Sequence, residues 1–348
     1  MSAWHFTSTT NGLEKNLTLR TDIPIPSLPT TPSATPSVLV SVISASINPI
    51  DYKLAEAMPA IIRKRLSSHS TPGLDFCGRV VAVSPSKSSA NETFKPGDLI
   101  YGLIDLFAAP AGTLSQYIIA AANNCAKLAP DVDPNAAATI GVAGKTAYQS
   151  IAPHVTPGAG DKVFINGGSG GTGTFSIQIA KALGCFVTVS CSGEKAELCK
   201  QLGADEIIDY KQVKSVSEAM KAKGPVYKLC VDNVGTPLDL YRAADGFLMK
   251  EGGVFVQVGG GITLANTKSL LGRMFLPRVL GGGGRKYSFY TPVDRNEDLV
   301  AMAGWVADGQ LKPVVEEVYK WEEVPRAFEK LKTGRNKGKL VVRVAEGK

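Results

Sequence analysis

The feature that most constrains the fold of this chain is a glycine-rich segment near its middle, Gly168-Ser169-Gly170-Gly171-Thr172-Gly173. The segment follows an apolar run at residues 162–166 and opens a helix-forming stretch at 171–183. In such a strand–turn–helix unit, the first glycine permits a tight turn, the second lets the backbone approach a pyrophosphate, and the third permits close packing of helix on strand. The amide groups of the helix N-terminus then face the anion. The six residues therefore predict a dinucleotide-binding site.

The chain around this motif alternates short apolar runs with longer amphipathic stretches. Strands are predicted at residues 162–166, 185–190, 206–208, 228–231 and 254–258, and helices at 135–139, 144–150, 171–183, 194–202 and 215–223. Gly203 fits a left-handed residue directly after the helix at 194–202. This repetition of strand and helix is typical of a parallel α/β sheet.

The parts on either side of this region have a different pattern. The β-prone runs at 38–43 and 79–83 alternate with a period of two, and five prolines between residues 24 and 37 predict an irregular surface loop. After a glycine run at 281–284, a helix is predicted at 296–308 and strands at 314–318 and 339–344. The 348 residues are about twice the usual domain length. We therefore predict two domains and expect the tail to rejoin the first.

Composition excludes several classes of protein. Hydrophobic residues make up 44% and charged residues 20% of the chain, which is ordinary globular usage. No stretch approaches the roughly 18 uninterrupted apolar residues of a membrane span, and the N-terminus lacks the charged-then-apolar order of a signal peptide. We therefore expect a folded cytoplasmic protein without a membrane span.

Cysteine and histidine usage argues against a metal site. The six cysteines never form a Cys-x-x-Cys pair, which also argues against a disulfide framework, so we expect buried thiols. None of His5, His69 and His154 stands beside a second plausible ligand in the sequence. The predicted set of metal ligands is therefore empty.

Positive charge is concentrated near the end of the chain. The 38 Lys and Arg exceed the 31 Asp and Glu, and nine of the basic residues lie between residues 320 and 348. They form either an ordinary solvated face or a surface that attracts an anionic ligand such as a phosphate. Nucleic acid is disfavoured as a partner because no aromatic-interleaved basic motif accompanies them.

The strand after the glycine motif selects between the two nicotinamide dinucleotides. An Asp or Glu about 20 residues on would bind the adenosine ribose 2′-hydroxyl, whereas this chain has Ser190-Cys191-Ser192-Gly193 there. A small neutral pocket followed by Lys195 accepts a 2′-phosphate, so NADPH (NADP+) is the predicted cofactor. Glu194 is the counterargument, although an acid in the first turn of a helix also serves to stabilise the helix dipole.

A series of motifs extends over nearly the whole chain in the order found in one protein superfamily. The motifs are Ser46-Ile47-Asn48-Pro49-Ile50-Asp51-Tyr52-Lys53, Pro72-Gly73-Leu74-Asp75-Phe76, Phe94-Lys95-Pro96-Gly97-Asp98, Gly144-Lys145-Thr146-Ala147-Tyr148, the glycine segment, Leu202-Gly203-Ala204-Asp205 and Gly338-Lys339-Leu340-Val341-Val342. In these residues the chain resembles the medium-chain dehydrogenase/reductase superfamily. The resemblance implies an α/β protein with a Rossmann domain at 129–289, a doubly wound parallel sheet that binds NADPH. It also implies a discontinuous, mainly-β GroES-like catalytic domain at 1–128 and 290–348.

The resemblance points to a branch of that superfamily without zinc. Zinc alcohol dehydrogenases carry a cysteine ligand where this chain has Asn48, Gly-His-Glu where it has Gly73-Leu74-Asp75, and another cysteine near Val142. The chain is accordingly similar to the zinc-independent, zeta-crystallin-like quinone oxidoreductases and enone reductases. The trans-acting enoyl reductases of fungal polyketide assembly share Ile-Asn-Pro and the downstream lysine, and they are a neighbouring alternative.

The resemblance also implies roles for individual residues. Ser192, Lys195 and Tyr210 match positions that hold a 2′-phosphate, and Thr146 matches a position near the phosphates or nicotinamide end of the cofactor. Further positions implied to line the cofactor are Asn233, Val234, Val258, Gly259, Gly260, Asn336 and Lys339. Some relatives place a substrate-facing tyrosine in the region of residues 58–69, where this chain has none.

Reduction of an unsaturated carbonyl without a metal needs hydride at the β-carbon and hydrogen-bond donors for the charge on the carbonyl oxygen. Asn48, Tyr52 and Lys53 are the candidate catalytic residues, because an amide, a phenol and an ammonium can meet that oxygen or hold ribose hydroxyls. Asp51 is expected to be a structural partner, since a carboxylate would oppose an enolate. The predicted activity is therefore NADPH-dependent reduction of the C=C bond of enones or enals, or of quinones.

Other activities stay open at this point. A simple ketone fits less well, because its reduction places a full alkoxide on oxygen, which enzymes meet with zinc or a tyrosine–lysine pair. The chain could also be a trans-acting enoyl reductase or tailoring reductase of a polyketide or other secondary-metabolite pathway, or a non-catalytic NADPH-binding module. The expected partner is a small-molecule unsaturated carbonyl or quinone, and the expected state is a monomer or homodimer.

Overall fold

The computed structural model of the chain describes residues 1–57, 71–87, 94–105, 111–260 and 284–345. These residues form two compact units, one made of Met1–Lys145 with Asp294–Lys348 and the other of Thr146–Val293. We call them unit 1 and unit 2. The domain boundaries expected from the sequence, 128/129 and 289/290, lie at earlier residues than these divisions. The region at 58–69, where some relatives have a substrate-facing tyrosine, lies outside the described residues.

Unit 1 is built mainly of strands. Its first chain segment contains β1 (Ala3–Phe6), β2 (Leu17–Arg20), β3 (Ser37–Ile47), α1 (Pro49–Ala57), β4 (Asp75–Val83), β5 (Leu99–Leu103), β6 (Tyr117–Ala121), β7 (Cys125–Lys127) and α2 (Pro134–Ala137). The helix α3 (Gly141–Ile151) begins in this segment and ends in unit 2. The long strand β3 pairs with both β4 and β6 in antiparallel register, and β4 pairs with β5. Alternate β3 residues such as Val38, Val40 and Val42 are fully buried, as the predicted period of two requires.

Unit 2 alternates strands and helices, as the sequence predicts. It contains β8 (Lys162–Asn166), α4 (Gly171–Ala182), β9 (Phe186–Cys191), α5 (Ala196–Gln201), β10 (Glu206–Asp209), α6 (Val216–Lys221), β11 (Leu229–Asp232), α7 (Leu240–Ala243), β12 (Val254–Gln257) and β13 (Lys286–Phe289). The six strands among the described residues of this unit are all parallel, in the order β10-β9-β8-β11-β12-β13. The order reverses beside β8, which is where open parallel sheets bind their ligands.

The tail returns to unit 1 with α8 (Asn296–Ala307), β14 (Val315–Tyr319), α9 (Val324–Lys332) and β15 (Lys339–Arg343). Strand β15 lies between β14 and β3, so the sheet runs β14-β15-β3-β4-β5-β7 with β6 on the side of β3. Several basic residues of this tail form ion pairs with acids of unit 1; they are Arg326, Lys330, Lys332 and Lys339. These contacts favour the ordinary structural interpretation of the basic cluster.

The sequence predictions hold closely in unit 2. Each strand and helix predicted between residues 162 and 258 begins and ends within two residues of the corresponding observed element. The predicted α/β class with a parallel sheet is confirmed. Gly203 has a φ of 104°, in the left-handed region, as predicted for the residue after α5. All six cysteines are free and buried. No helix among the described residues is long and apolar enough to cross a membrane.

Candidate active site

The glycine segment of unit 2 forms the turn between the central strand β8 and α4. Gly167 has a φ of 84°, so the left-handed residue of the turn stands one position before the predicted Gly168. Gly168 is needed for a different reason, because a Cβ there would lie 2.8 Å from the Cβ of Val189 on the neighbouring strand. The tight turn and the close approach to β9 therefore belong to two successive glycines.

Gly173 has the packing role that the motif predicts, and Gly170 borders open space. A Cβ on Gly173 would lie 2.1 Å from the carbonyl oxygen of Gly167, so α4 packs directly on the turn. At Gly170, which precedes the first residue of α4, an added Cβ would have one described neighbour within 4 Å, the same oxygen at 3.9 Å. The turn thus leaves space beside the first amides of α4, where helix N-termini bind phosphate groups. Ser169 is buried, and Thr172 is half-buried in the first turn of α4.

Three buried polar side chains join the strand ends around this turn. The hydroxyl of Ser190 donates to Oδ1 of Asn166 at 2.6 Å and accepts the N–H of Gly167 at 2.9 Å. Nδ2 of Asn166 donates to Oδ1 of Asp232 at 2.8 Å. Because these residues stand at the carboxyl ends of β9, β8 and β11, the hydrogen bonds hold the glycine turn against its neighbouring strands.

The loops after β11 and β12 are held together by the last residue of β11. Oδ1 of Asp232 accepts the N–H of Gly235 at 2.8 Å, while its main-chain oxygen accepts the N–H groups of Val258 and Gly259 at 2.9 Å each. A Cβ on Gly259 would lie 2.0 Å from the carbonyl oxygen of Asn233. The two loops that the resemblance assigns to the cofactor, at 233–234 and 258–260, therefore touch backbone to backbone.

Asn233 carries an unsatisfied acceptor at this point. Its buried side-chain oxygen Oδ1 has no hydrogen-bond donor among the described residues, while Nδ2 lies 3.5 Å from the hydroxyl of Ser176. Leaving a buried acceptor unpaired costs free energy, and a hydroxyl or amide of a bound dinucleotide could supply the donor. Together with the open position at Gly170, this oxygen indicates that unit 2 fits a dinucleotide. Thr146, also predicted to line the cofactor, is buried on α3.

The residues predicted to hold a 2′-phosphate lie at the carboxyl ends of β9 and β10. These strands pair up to Cys191 and Asp209, and the N–H of Tyr210 then donates to the carbonyl oxygen of Cys191 at 3.1 Å. Ser192 follows as a buried residue, Lys195 is half-buried in the same loop, and the ring of Tyr210 is exposed. The structure therefore brings Ser192, Lys195 and Tyr210 to one corner of the sheet.

Glu194 is accounted for at the same corner. It lies in the first turn of the short 3-10 helix Gly193–Lys195, as predicted, and its carboxylate pairs with the ammonium of Lys211 at 2.6 Å. Both side chains are exposed, with 75% of the Glu194 side chain and 52% of the Lys211 side chain accessible. The acid that argued for NADH thus has a basic partner.

Unit 1 contains a buried polar cluster that we call the Asp75 cluster: Ser46, Asn48, Asp75, Val142 and Lys339. The ammonium of Lys339 donates to Oδ1 of Asn48 and, at 3.2 Å, to Oδ2 of Asp75. Nδ2 of Asn48 donates to the same Asp75 oxygen at 2.8 Å. The side chains of Lys339 and Asp75 are 3% and 0% exposed. The predicted catalytic amide of Asn48 is therefore held between a buried cation and a buried anion.

The Asp75 cluster unites the positions at which zinc relatives carry ligands. Asp75 also accepts the hydroxyl of Ser46 at 2.8 Å and the N–H of Val142 at 2.6 Å. The carboxylate thus already has four donors, Leu74 is apolar, and Val142 offers only its backbone. In the described ranges of the chain, no group of three or more His, Cys, Asp or Glu could hold a metal ion. These residues do not fit a zinc ion, because the Lys339 ammonium provides the local positive charge.

Asp51 is a structural partner, as expected. Its Oδ2 accepts the backbone N–H of Asn48 at 2.7 Å, which caps the first turn of α1. Oδ1 has no donor among the described residues. Burial, and to a smaller extent the negative charge of Asp75, raise the pKa of Asp51 to about 8. The raised pKa favours the neutral carboxyl group over the carboxylate in the folded protein.

Tyr52 and Lys53 follow on α1, and both are half-buried. The ammonium of Lys332 lies 5.2 Å from the centre of the Tyr52 ring. Burial, with a smaller contribution from Glu56, raises the pKa of Tyr52, and burial lowers the pKa of Lys53. A lysine with a lowered pKa gives up its proton more readily than an exposed one.

Two residues predicted to contact the cofactor from the tail are placed in unit 1. The ammonium of Lys339 is bound within the Asp75 cluster, so we assign the residue to that cluster. Asn336 donates from Nδ2 to the carbonyl oxygen of Gly338 at 2.7 Å, in the turn before β15. A contact of either residue with the cofactor stays a prediction.

The sequence reasoning missed three acids that organise the site: Asp75, Asp232 and Asp209. Asp209 ends β10 and accepts the backbone N–H of Lys211 at 2.9 Å. Asp232 likewise ends an apolar strand, and Asp75 begins one. The sequence pattern that could have identified these residues is an acid at the end of an apolar strand, because a carboxylate there is buried only where hydrogen-bond donors surround it.

Comparison with known proteins gives consistent matches over the whole chain. Residues 35–131 match the family model "Alcohol dehydrogenase GroES-like domain", and residues 202–342 match "Zinc-binding dehydrogenase". The trans-enoyl reductase pgmF of Aspergillus terreus is 43% identical over 353 residues, which cover 99% of this chain and 97% of the relative.

Two solved structures extend the comparison. The quinone oxidoreductase of Coxiella burnetii superposes with a TM-score of 0.79 and 25% identity, and the match covers 99% of each chain. The mycobacterial protein Rv1454c, solved in complex with NADPH, superposes with a TM-score of 0.70 and 21% identity over 99% of each chain. The second likeness is one of fold.

Proposed function

Because the chain belongs to the medium-chain dehydrogenase/reductase superfamily, in the branch of quinone oxidoreductases and enoyl reductases, we propose that it reduces the C=C bond of α,β-unsaturated carbonyl compounds with NADPH. Its membership makes it an oxidoreductase that uses a nicotinamide dinucleotide. The observation that carries the finer proposal is the Asp75 cluster, in which a buried lysine bonds to Asn48 and Asp75, at positions where the resemblance places zinc ligands in related dehydrogenases.

The residues of unit 2 support NADPH over NADH. A 2′-phosphate carries two negative charges that need donors and a cation, and Ser192, Lys195 and Tyr210 offer a hydroxyl, an ammonium and a phenol at one sheet corner. Glu194 is paired with Lys211. We expect NADPH to bind at least tenfold more tightly than NADH in a calorimetric titration, and Lys195→Ala to narrow that gap. Equal affinities, or a preference for NADH, would overturn the assignment.

Asn48, Tyr52 and Lys53 support the chemical step. When bound, the reduced nicotinamide supplies the hydride that the β-carbon of the substrate accepts. The charge that develops on the substrate oxygen is then delocalised as an enolate, which needs donors rather than a Lewis acid. Lys53 is the strongest candidate for this role, because its half-buried ammonium is incompletely solvated and its pKa is lowered.

The relative that is 43% identical favours an enoyl compound as the substrate. That protein is a trans-enoyl reductase, and a conjugated thioester presents the same β-carbon and carbonyl oxygen as an enone. We therefore place enoyl thioesters first among the substrates and keep quinones as the second class, since a quinone oxidoreductase shares the fold. Conversion of a simple ketone to an alcohol fits less well, because no zinc ligands stand in the Asp75 cluster to meet an alkoxide.

Isotope transfer tests the proposed reaction. The purified protein is given NADPH labelled with deuterium at the transferred position, with a short enoyl thioester, an enone and a quinone in parallel. We expect the label at the β-carbon of a saturated thioester or ketone. Label on a carbinol carbon would replace the proposal by ketone reduction. Binding of NADPH without oxidation of any of the three would favour the non-catalytic NADPH-binding module.

A further inference from the structure

We propose that the Glu194–Lys211 ion pair sets the cofactor specificity of this protein: Lys211 neutralises Glu194 and thereby lets the corner between β9 and β10 accept a 2′-phosphate. This inference rests on the proposed use of NADPH and names a specificity-determining residue beyond Ser192, Lys195 and Tyr210. The ion pair makes Glu194, an acid that directly follows the strand end where NADH-selecting acids stand, compatible with a phosphate.

The backbone holds Lys211 beside the loop that contains Glu194. Strands β9 and β10 pair in parallel register up to Cys191 and Asp209, and the N–H of Tyr210 bonds to the carbonyl oxygen of Cys191 at 3.1 Å. Asp209 accepts the N–H of Lys211 at 2.9 Å, an Asx-turn contact that fixes where the lysine leaves the sheet. The Lys211 side chain then bonds to Oε1 of Glu194 at 2.6 Å.

The charges at this corner balance only while Lys211 is present. The contacts described above place the carboxylates of Glu194 and Asp209 and the ammonium groups of Lys195 and Lys211 at this corner. A Cβ on Gly193 would lie 2.6 Å from Oδ2 of Asp209, so the second carboxylate borders the same loop. Without Lys211, two acids would face a single lysine, and the corner would repel a phosphate dianion.

The Glu194–Lys211 ion pair should contribute little to the stability of the fold. Exposed ion pairs contribute almost nothing measurable to folding, since they gain little Coulomb energy in water and restrict two long side chains. Glu194 stands in a short exposed 3-10 helix and Lys211 in a turn, and both side chains are exposed. Their charge is therefore available to act on a ligand, and variants of either residue should fold normally.

The test compares NADPH and NADH binding by calorimetry in the wild type and in Lys211→Gln, Glu194→Gln and the double variant. We expect Lys211→Gln to weaken NADPH binding about tenfold and to change NADH binding less than about twofold. The double variant should regain NADPH affinity to within about threefold of the wild type, because the repelling carboxylate is gone. Lys211→Arg should bind both cofactors as the wild type does.

Lys200→Gln is the matched control, since it removes the charge of an exposed lysine on α5 of the same unit. If Lys211→Gln lowers NADPH affinity no more than this control, the proposal is overturned. It is also overturned if Glu194→Gln fails to restore binding in the double variant. A wild type that prefers NADPH with unresponsive variants defeats this inference alone. A wild type that prefers NADH defeats the proposed cofactor together with it.

Discussion

At the scale of single residues, Asp75 and Lys339 form a buried ion pair, and removing one of the two charges alone should lower the free energy of unfolding. The carboxylate and the ammonium are 0% and 3% exposed, and each reaches the other and Asn48. An isolated buried charge is far more expensive than a buried pair, because its desolvation is no longer offset. The stability of unit 1 should therefore depend on keeping both charges or removing both.

We expect Lys339→Met to lower the free energy of unfolding by about 3–5 kcal/mol, as measured by urea denaturation. Adding Asp75→Asn should recover part of that loss, because the uncompensated carboxylate is then gone. Lys330→Met is the control, since Lys330 pairs with Glu316 at the surface and its loss should cost less than about 1 kcal/mol. A Lys339→Met loss as small as that of the control would contradict the assignment.

The buried carboxyl of Asp51 predicts a pH dependence of folding. Its pKa of about 8 in the folded protein lies above its ordinary value of 3.8. Between these values the folded state keeps a proton that the unfolded chain has lost, so this group makes the free energy of unfolding fall as pH rises.

Asp51→Asn carries a neutral group at every pH and lacks that contribution. In urea titrations at pH 5, 6, 7 and 8, the wild type should lose stability relative to this variant by up to about 1.4 kcal/mol per pH unit. A difference that stays constant over this range would show that Asp51 is ionised in the folded protein.

Lys53 should affect turnover more than cofactor binding. If its ammonium supports the enolate, Lys53→Ser should lower kcat about 10- to 100-fold with an enoyl thioester and change the Kd of NADPH less than about threefold. Lys15→Ser, at an exposed lysine of the 3-10 helix Leu13–Asn16, is the control and should leave both unchanged. A loss of NADPH affinity without a loss of kcat would move Lys53 from the chemistry to the cofactor.

The residue types of the site could be predicted from the sequence better than their partners. The glycine motif predicts the position of the turn after β8 because Gly168 and Gly173 stand where a Cβ would clash with a neighbouring atom. Lys339 and Asn48 lie 291 positions apart in the chain. Their contact depends on strand pairing across unit 1, and no local pattern encodes such a pairing.

At the scale of elements, two helical glycines allow a comparison within one protein. Gly173 lies in the first turn of α4, where a Cβ would meet the Gly167 oxygen at 2.1 Å, whereas Gly304 lies in α8 with nothing within 4 Å. Gly304→Ala should raise the free energy of unfolding by roughly 0.5–1 kcal/mol, because alanine loses less backbone entropy. Gly173→Ala should lower it and abolish NADPH binding, since α4 must move off the turn. Thermal unfolding and NADPH titration of both variants check the opposite signs.

Two of the elements that the sequence did not predict, α1 and β13, share one cause. Helix α1 begins with Asn48-Pro49, which favours a turn but is also a helix-start signal, with asparagine at the cap and proline at the first helical position. Strand β13 is short and carries exposed residues such as Phe289 at the edge of its sheet. In both cases the local pattern fits two structures, and packing decides between them.

At the scale of the whole molecule, the protein should work without metal. Asn48, Leu74 and Val142 stand where zinc relatives bind zinc, and a lysine supplies the charge in the Asp75 cluster. Chelators such as 1,10-phenanthroline should leave both the thermal midpoint and the turnover of an enoyl thioester unchanged. Elemental analysis that finds one zinc per chain, lost together with activity, would contradict this prediction.

The position of β15 has a consequence for how the chain is made. This last strand lies inside the sheet of unit 1, between β14 and β3, and its first residue carries the ammonium that pairs with Asp75. During synthesis, unit 2 is complete once Val293 has left the ribosome, whereas β3 can pair with β15 only after Arg343 emerges. The nascent N-terminal segment therefore carries an unpaired β3 edge and an unneutralised Asp75 through most of translation. A stop codon before Lys339 would release a chain with a finished nucleotide-binding unit and an aggregation-prone remainder.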